Sequence, residues 1–177
     1  MKIIKVFFLS TMVLLTACSK IDELTQFNLT YDVEVIIPSG TPINLPFNLI
    51  SPDITTNSNS TFSSNNTSKD LIEEINLIQL TLELTSPSDG NLNFLKEIEL
   101  FINAQDLPDK KVAWKYDIQN DGVMILYLDT SSDDLQDYIK KDEMTLSIKT
   151  TTDEIMTQDH TLKATSIFYV DAKILGI

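Results

Sequence analysis

The strongest constraint on this chain is a two-residue period that recurs along most of its length. From Phe27 to Ile37, the residues Phe27, Leu29, Tyr31, Val33, Val35 and Ile37 alternate with Asn28, Thr30, Asp32 and Glu34. Successive side chains of an extended strand point to opposite faces, so this alternation predicts a half-buried strand with a dry side and a wet side. The same pattern returns in Ile43, Leu45, Phe47 and Leu49, in Ile78, Leu80, Leu82 and Leu84, and in Ile98, Leu100 and Ile102. It returns again in Val112, Trp114, Tyr116 and Ile118, in Met144, Leu146 and Ile148, and from Leu162 through Ala164, Phe168, Val170 and Ala172 to Ile174. One-faced strands of this kind must cover one another, and with only brief helical stretches between them they predict an all-β, antiparallel β-sandwich. Immunoglobulin-like topology is the first expectation and a small closed β-barrel the alternative.

The connections carry their own signals. Pro38, Ser39, Gly40 and Thr41 form a turn, and Pro46, which has no N–H to give to a neighbour, points the second strand toward a sheet edge. Every residue from Thr55 to Ser68 except Phe62 is Ser, Thr or Asn. A tract that offers so little apolar surface reads as a mobile loop or weak edge strand. Thr67 or Ser68 is placed to cap a short helix through Asp70, Leu71, Ile72 and Ile75. Asn120, Asp121 and Gly122 tolerate positive φ and predict a tight hairpin joining the Val112 strand to Val123–Leu128. Leu135, Tyr138 and Ile139 fall at helical spacing behind Ser131 or Ser132 as cap, with Asp133 and Asp134 in the first turn opposing the positive helix end.

Charge and composition exclude several chemistries. The formal charge is −13, and the basic residues are all lysines. Nucleic-acid binding rests on Lys and Arg neutralising phosphate, so no nucleic-acid partner is expected. His160 is the sole histidine, which rules out a histidine-rich zinc site and leaves one base for any nucleophile relay; it reads as an ordinary loop residue. No nucleophile elbow, phosphate loop or dinucleotide fingerprint occurs. Asp117, Gln119, Asp121 and Gly122 begin like a calcium loop, but its twelfth position is Leu128, not a bidentate glutamate. Asp133, Asp134 and Asp137 read as a solvated helix start. No cofactor, no metal site and no catalytic residue is expected.

Trp114, Tyr116, Tyr127, Phe168 and Tyr169 are the candidates for a sugar-stacking platform, set against ordinary core and cross-strand roles. The function expected is a non-catalytic binding or structural module for an envelope protein or glycan, acting through loops at one end of the sandwich. A carboxylate-based hydrolase and a carrier of an apolar ligand are the alternatives.

The first residues determine where the module resides. Lys2 and Lys5 precede an apolar run from Val6 to Leu15 that only Ser10 and Thr11 interrupt, and this is the order of a secretory signal. The run is about half the ~20 residues a spanning helix needs. Leu15, Thr16, Ala17 and Cys18 resemble the lipobox of bacterial lipoproteins. That resemblance implies cleavage between Ala17 and Cys18 and a diacylglyceryl group on the Cys18 thiol, so that lipid holds the chain at the membrane. It divides the chain into a signal peptide (1–17), a lipidated tether (18–24) and a single domain (25–177). Cys18 is the only cysteine, so the exported domain has no disulfide; the mature chain has 160 residues and a formal charge of −15. Ser19 after the lipidated cysteine implies the outer membrane. Asp22 and Glu23 resemble a surface-export signal interrupted by Lys20 and Ile21, which leaves the periplasmic and surface sides both open. In layout the whole chain also resembles the β-rich outer-membrane lipoproteins of bacterial envelopes.

Overall fold

The computed structural model describes residues 25–173; Ala17, Cys18 and the 18–24 tether lie outside them. The elements in chain order are β1 (Phe27–Ile37), β2 (Phe47–Ile50), β3 (Ile54–Thr55), α1 (Ser58–Ser64), a 3-10 turn (Lys69–Leu71), β4 (Ile72–Ser86), β5 (Leu95–Asn103) and β6 (Lys110–Lys115). They continue with β7 (Ile125–Tyr127), β8 (Asp129–Thr130), α2 (Gln136–Ile139), β9 (Glu143–Thr152) and β10 (His160–Ala172).

Two antiparallel sheets result. One runs β1-β10-β4-β7; the other runs β2-β9-β5-β6-β8, with β3 also on β9. The sandwich expectation holds, but β1 is not paired to β2 or β3, nor β7 to β8, so the sheets do not close into a barrel. The strand order also departs from the immunoglobulin arrangement, in which strands adjacent in sequence share a sheet at several places. Here the four-stranded sheet contains no such neighbours. β2 and β3 lie on the same side of β9 and act as one broken strand. With the two-residue β8 set aside, the order becomes 1-8-3-6 facing 2-7-4-5, the double Greek key of a jelly roll. Alternation specifies which face each strand buries, but leaves its partners to the long connections.

The inner faces meet in a core that includes Ile75, Leu77, Leu80, Leu82, Leu84, Leu162, Phe168 and Val170 from the first sheet. Ile98, Leu100, Ile102, Val112, Leu146 and Ile148 come from the second. Full burial of such a side chain contributes about 1.5–3 kcal/mol, and the described residues have no disulfide to add to it.

Several local expectations are corrected. The β4–β10 register shifts three times, and one shift lies opposite Ile167 and Phe168. The extra residue there turns Ile78 outward (50% exposed) while Leu77 and Leu80 stay buried, so the predicted inward row begins at Leu80. The 67–75 helix shrinks to the three-residue 3-10 turn, because Ile72 already belongs to β4. The second strand starts at Phe47, though it does lie at an edge as Pro46 implied.

The Ser/Thr/Asn tract contains α1, whose Phe62 is fully buried with its ring edge-on to Phe27 at 6.4 Å. The expected hairpin does not form: β6 pairs with β5 and β8, while β7 crosses to pair with β4. The 131–139 helix is reduced to α2, and its starting N–H, that of Gln136, is met by Asp134 Oδ1 at 3.0 Å.

The connections sort to two ends. The near end holds the start of β1, the end of β10, α1, α2 and the β5–β6 loop. The far end holds the β1–β2, β4–β5, β6–β7 and β9–β10 connections, as the strand registers require.

Candidate ligand-binding face

The densest polar cluster lies on a strand face, not among the far-end loops. Period two turns Glu97 and Glu99 of β5 away from Ile98 and Leu100, which are buried. Pairing then sets Glu99 between Lys149 of β9 and Trp114 of β6. Tyr116, one residue past β6, donates its hydroxyl to Glu99 Oε1 at 2.5 Å. Lys111 Nζ donates to the same oxygen at 3.2 Å, and Lys149 Nζ lies 3.8 Å from the other. The Lys111 ammonium also sits 5.4 Å from the centre of the Trp114 ring.

Beside the cluster is a 220 Å³ cavity lined by Glu97, Glu99, Tyr116, Lys149, Thr150 and Thr151. Its floor is pinned where Thr151 Oγ1 donates to Glu97 Oε1 at 2.9 Å. The hydrogen bond from Tyr116 is the largest influence on Glu99; burial opposes it, and the Lys111 and Lys149 ammonium groups add to it, so that the Glu99 pKa lies below the usual glutamate value. The same contact raises the pKa of Lys111 and of the Tyr116 hydroxyl. The face therefore holds a fixed acceptor, two cations, hydroxyls and an indole on paired strands, with a phenol one residue beyond β6. Glu97 and Glu99 balance Lys111 and Lys149, so the cluster has no formal charge.

A larger cleft of 660 Å³ opens at the near end between Asp53, Lys69, Lys140, Asp142 and Glu143. It is less well built, since the Lys69–Asp142 pair across it uses an aspartate whose side chain is 84% exposed.

The five candidate aromatic residues are not brought together. Trp114 and Tyr116 join the cluster. Tyr127 and Tyr169 lie on the outside of the other sheet, and Phe168 is in the core. His160 begins β10, with Nδ1 3.0 Å from the Gln158 carbonyl and its ring 4.5 Å from that of Phe94.

Asp134 is engaged structurally. Its partial burial, which would raise its pKa, is outweighed by hydrogen bonds from the Ile75 and Gln136 N–H groups and the Gln136 side chain, and the net shift is downward. Asp133 pairs with Lys110 at 3.5 Å. Asp117 takes φ 50° in the β6–β7 crossing. Among the described residues no group of three or more His, Cys, Asp or Glu is arranged to hold a metal ion. Glu99, Lys111 and Lys149 were not legible as a unit from sequence: the period gives their faces, but only the β9-β5-β6 order makes them neighbours.

No protein family and no curated protein matches the chain by sequence. Among solved structures, one titled "Crystal Structure of FLHE" aligns with TM-score 0.35 and 7% identity over 84% of this chain and 98% of its own. Desmodium yellow mottle tymovirus aligns with TM-score 0.31 and 9% identity over 86% of this chain and 91% of its own. Likenesses this distant carry no argument about function.

Proposed function

We propose that the protein is a lipid-anchored module of the bacterial cell envelope that binds a neutral glycan on the outer face of its six-stranded sheet. The observation that carries this reading is the Glu99 cluster. Its charges cancel, its polar atoms are held in place before any ligand arrives, and Trp114 and Tyr116 offer apolar surface beside acceptors and donors. A sugar ring presents the complementary combination of hydroxyl edges and an apolar face. A polyanion would meet Glu97 and Glu99, and an apolar carrier would need space that the packed core fills. No observation specifically favours a carboxylate hydrolase.

The anchor is Cys18, lipidated after cleavage behind Ala17, and the destination is the outer membrane. The seven residues from Cys18 to Leu24 span at most about 25 Å, so the near end of the sandwich stays beside the bilayer and the far-end loops point away from it.

Two measurements test the proposal. Calorimetry of the detergent-solubilised lipoprotein with neutral polysaccharides should detect binding that Trp114→Ala weakens about tenfold or more, with the circular dichroism spectrum unchanged. Because Glu99 is held below its ordinary pKa, its charge persists as pH falls through the usual glutamate range. The face should therefore keep its affinity from neutrality down through the usual glutamate range and lose it only in stronger acid. Unaltered binding by the Trp114 variant, or tighter binding of a polyanion, would refute the assignment. Separately, Cys18→Ala should release the protein from the membrane fraction or leave its signal uncut; mature protein still firmly membrane-bound would remove the anchor.

A further inference from the structure

We infer that the open edge of β1 takes up an extended segment of a partner protein in which basic residues alternate with apolar ones, adding a fifth strand to the four-stranded sheet. Every residue from Phe27 to Ile37 pairs with β10 on one side. In an antiparallel ladder every second residue aims its N–H and C=O away from that partner. Among the described residues, these outward groups make no backbone hydrogen bond to any other element. The edge is also regular, for the β1–β10 register runs from Phe27↔Val170 to Ile37↔His160 without a shift.

Edges are normally protected by being short, bulged, covered or interrupted by proline. The other edges follow that rule: β2 has four residues behind Pro46, β7 has three and β8 has two. At eleven residues β1 is the exception, and the guard its own sequence supplies is charge.

There is room beside it. A 560 Å³ groove follows Asn28–Asp32, and its other wall is formed by Asp53–Asn57 with Thr61 and Asn65 of α1. Tyr31 Oη donates to the Thr56 carbonyl at 3.2 Å and ties the two walls together. The lining contains Asp32 and Asp53 and no basic residue.

The charges select the occupant. On its covered side β1 already shows what suits its outer face: Thr165 donates to Asp32 Oδ1 at 2.6 Å, and Lys163 lies opposite Glu34. A strand on the open side meets the same two carboxylates, so it too is favoured by lysine or threonine at alternate positions. A second copy of this chain would set Asp32 and Glu34 of one β1 against those of the other, between two bodies of strongly negative charge. This inference does not depend on the glycan reading, which concerns the opposite sheet.

The test uses the full lipoprotein in detergent and two synthetic ten-residue peptides, one alternating Lys with Val and one alternating Glu with Val. Amide hydrogen exchange should slow by about tenfold or more at alternate residues of β1 with the lysine peptide and not with the glutamate peptide. The Asp32→Lys, Glu34→Lys double variant, checked for retained fold, should reverse that preference. No protection of β1, equal protection by both peptides, or protection that grows with the protein's own concentration would each overturn the inference, the last in favour of a second copy.

Discussion

The segments 55–68 and 116–124 both look like connections, and they contribute to the fold in opposite ways. The first is almost wholly Ser, Thr and Asn, yet it contains α1 and has one apolar side chain as its anchor in the core. Phe62 sinks completely into the core, and the polar residues around it bond both locally and across the fold, Thr56 Oγ1 donating to the Lys141 carbonyl at 2.5 Å and Ser58 Oγ to that of Lys140 at 3.3 Å. Asn65 Nδ2 reaches the Thr61 carbonyl at 2.9 Å, and the Thr67 N–H reaches that of Phe62 at 3.0 Å. The second carries turn residues suited to a hairpin, and it spends them on changing sheets. Gly122 does adopt the positive φ its sequence suggests, at 75°. The chain it steers is fastened to the 92–96 region: Gly122 N–H donates to Asn93 Oδ1 at 2.9 Å, and Ile118 N–H to the Lys96 carbonyl at 3.0 Å. One buried ring can outweigh the composition of fourteen residues, whereas a turn residue fixes a bend and not the partner beyond it.

The contrast can be broken by substitution. Phe62→Ala should have the larger effect, a loss of about 3–5 kcal/mol in denaturant unfolding, as expected for emptying a closed aromatic site. A change below about 0.5 kcal/mol would mark the segment as the loose connection its composition suggests. Gly122→Ala should cost less, about 1–2 kcal/mol, which is the cost of placing an L side chain at positive φ. An added Cβ there meets nothing within 4 Å, so the loss is purely conformational. A larger loss would mean that the crossing depends on close packing at that point.

These same differences explain what could be read in advance. β1, β5, β9 and β10 were visible because alternation is local and strong along each of them. Ile78 was misplaced because a bulge is a property of two strands and leaves no mark on one. The sheet order and the β6–β7 crossing depend on pairings between residues far apart in sequence. The candidate site divides in the same way: Trp114 and Tyr116 stand out as aromatic residues on an alternating segment, while Glu99 draws notice only once β6 and the residue after it bring Lys111 and Tyr116, and β9 brings Lys149, to its two sides.

The position of β1 gives it a mechanical role as well. The chain enters the domain at the near end, and β1 then runs the length of the sheet against β10 through eleven consecutive pairs. A pull exerted through the residues before Phe27 is directed along the strand, so it loads those pairs together in shear instead of opening them one after another. Forced unfolding is governed by the unfolding rate, and a ladder strained all at once resists it far better than one that unzips. The domain therefore meets tension from its own N-terminal side with its longest unbroken set of backbone hydrogen bonds, and detachment under drag would start elsewhere, at the short strands β7 and β8 or in the bonds to whatever the domain has bound.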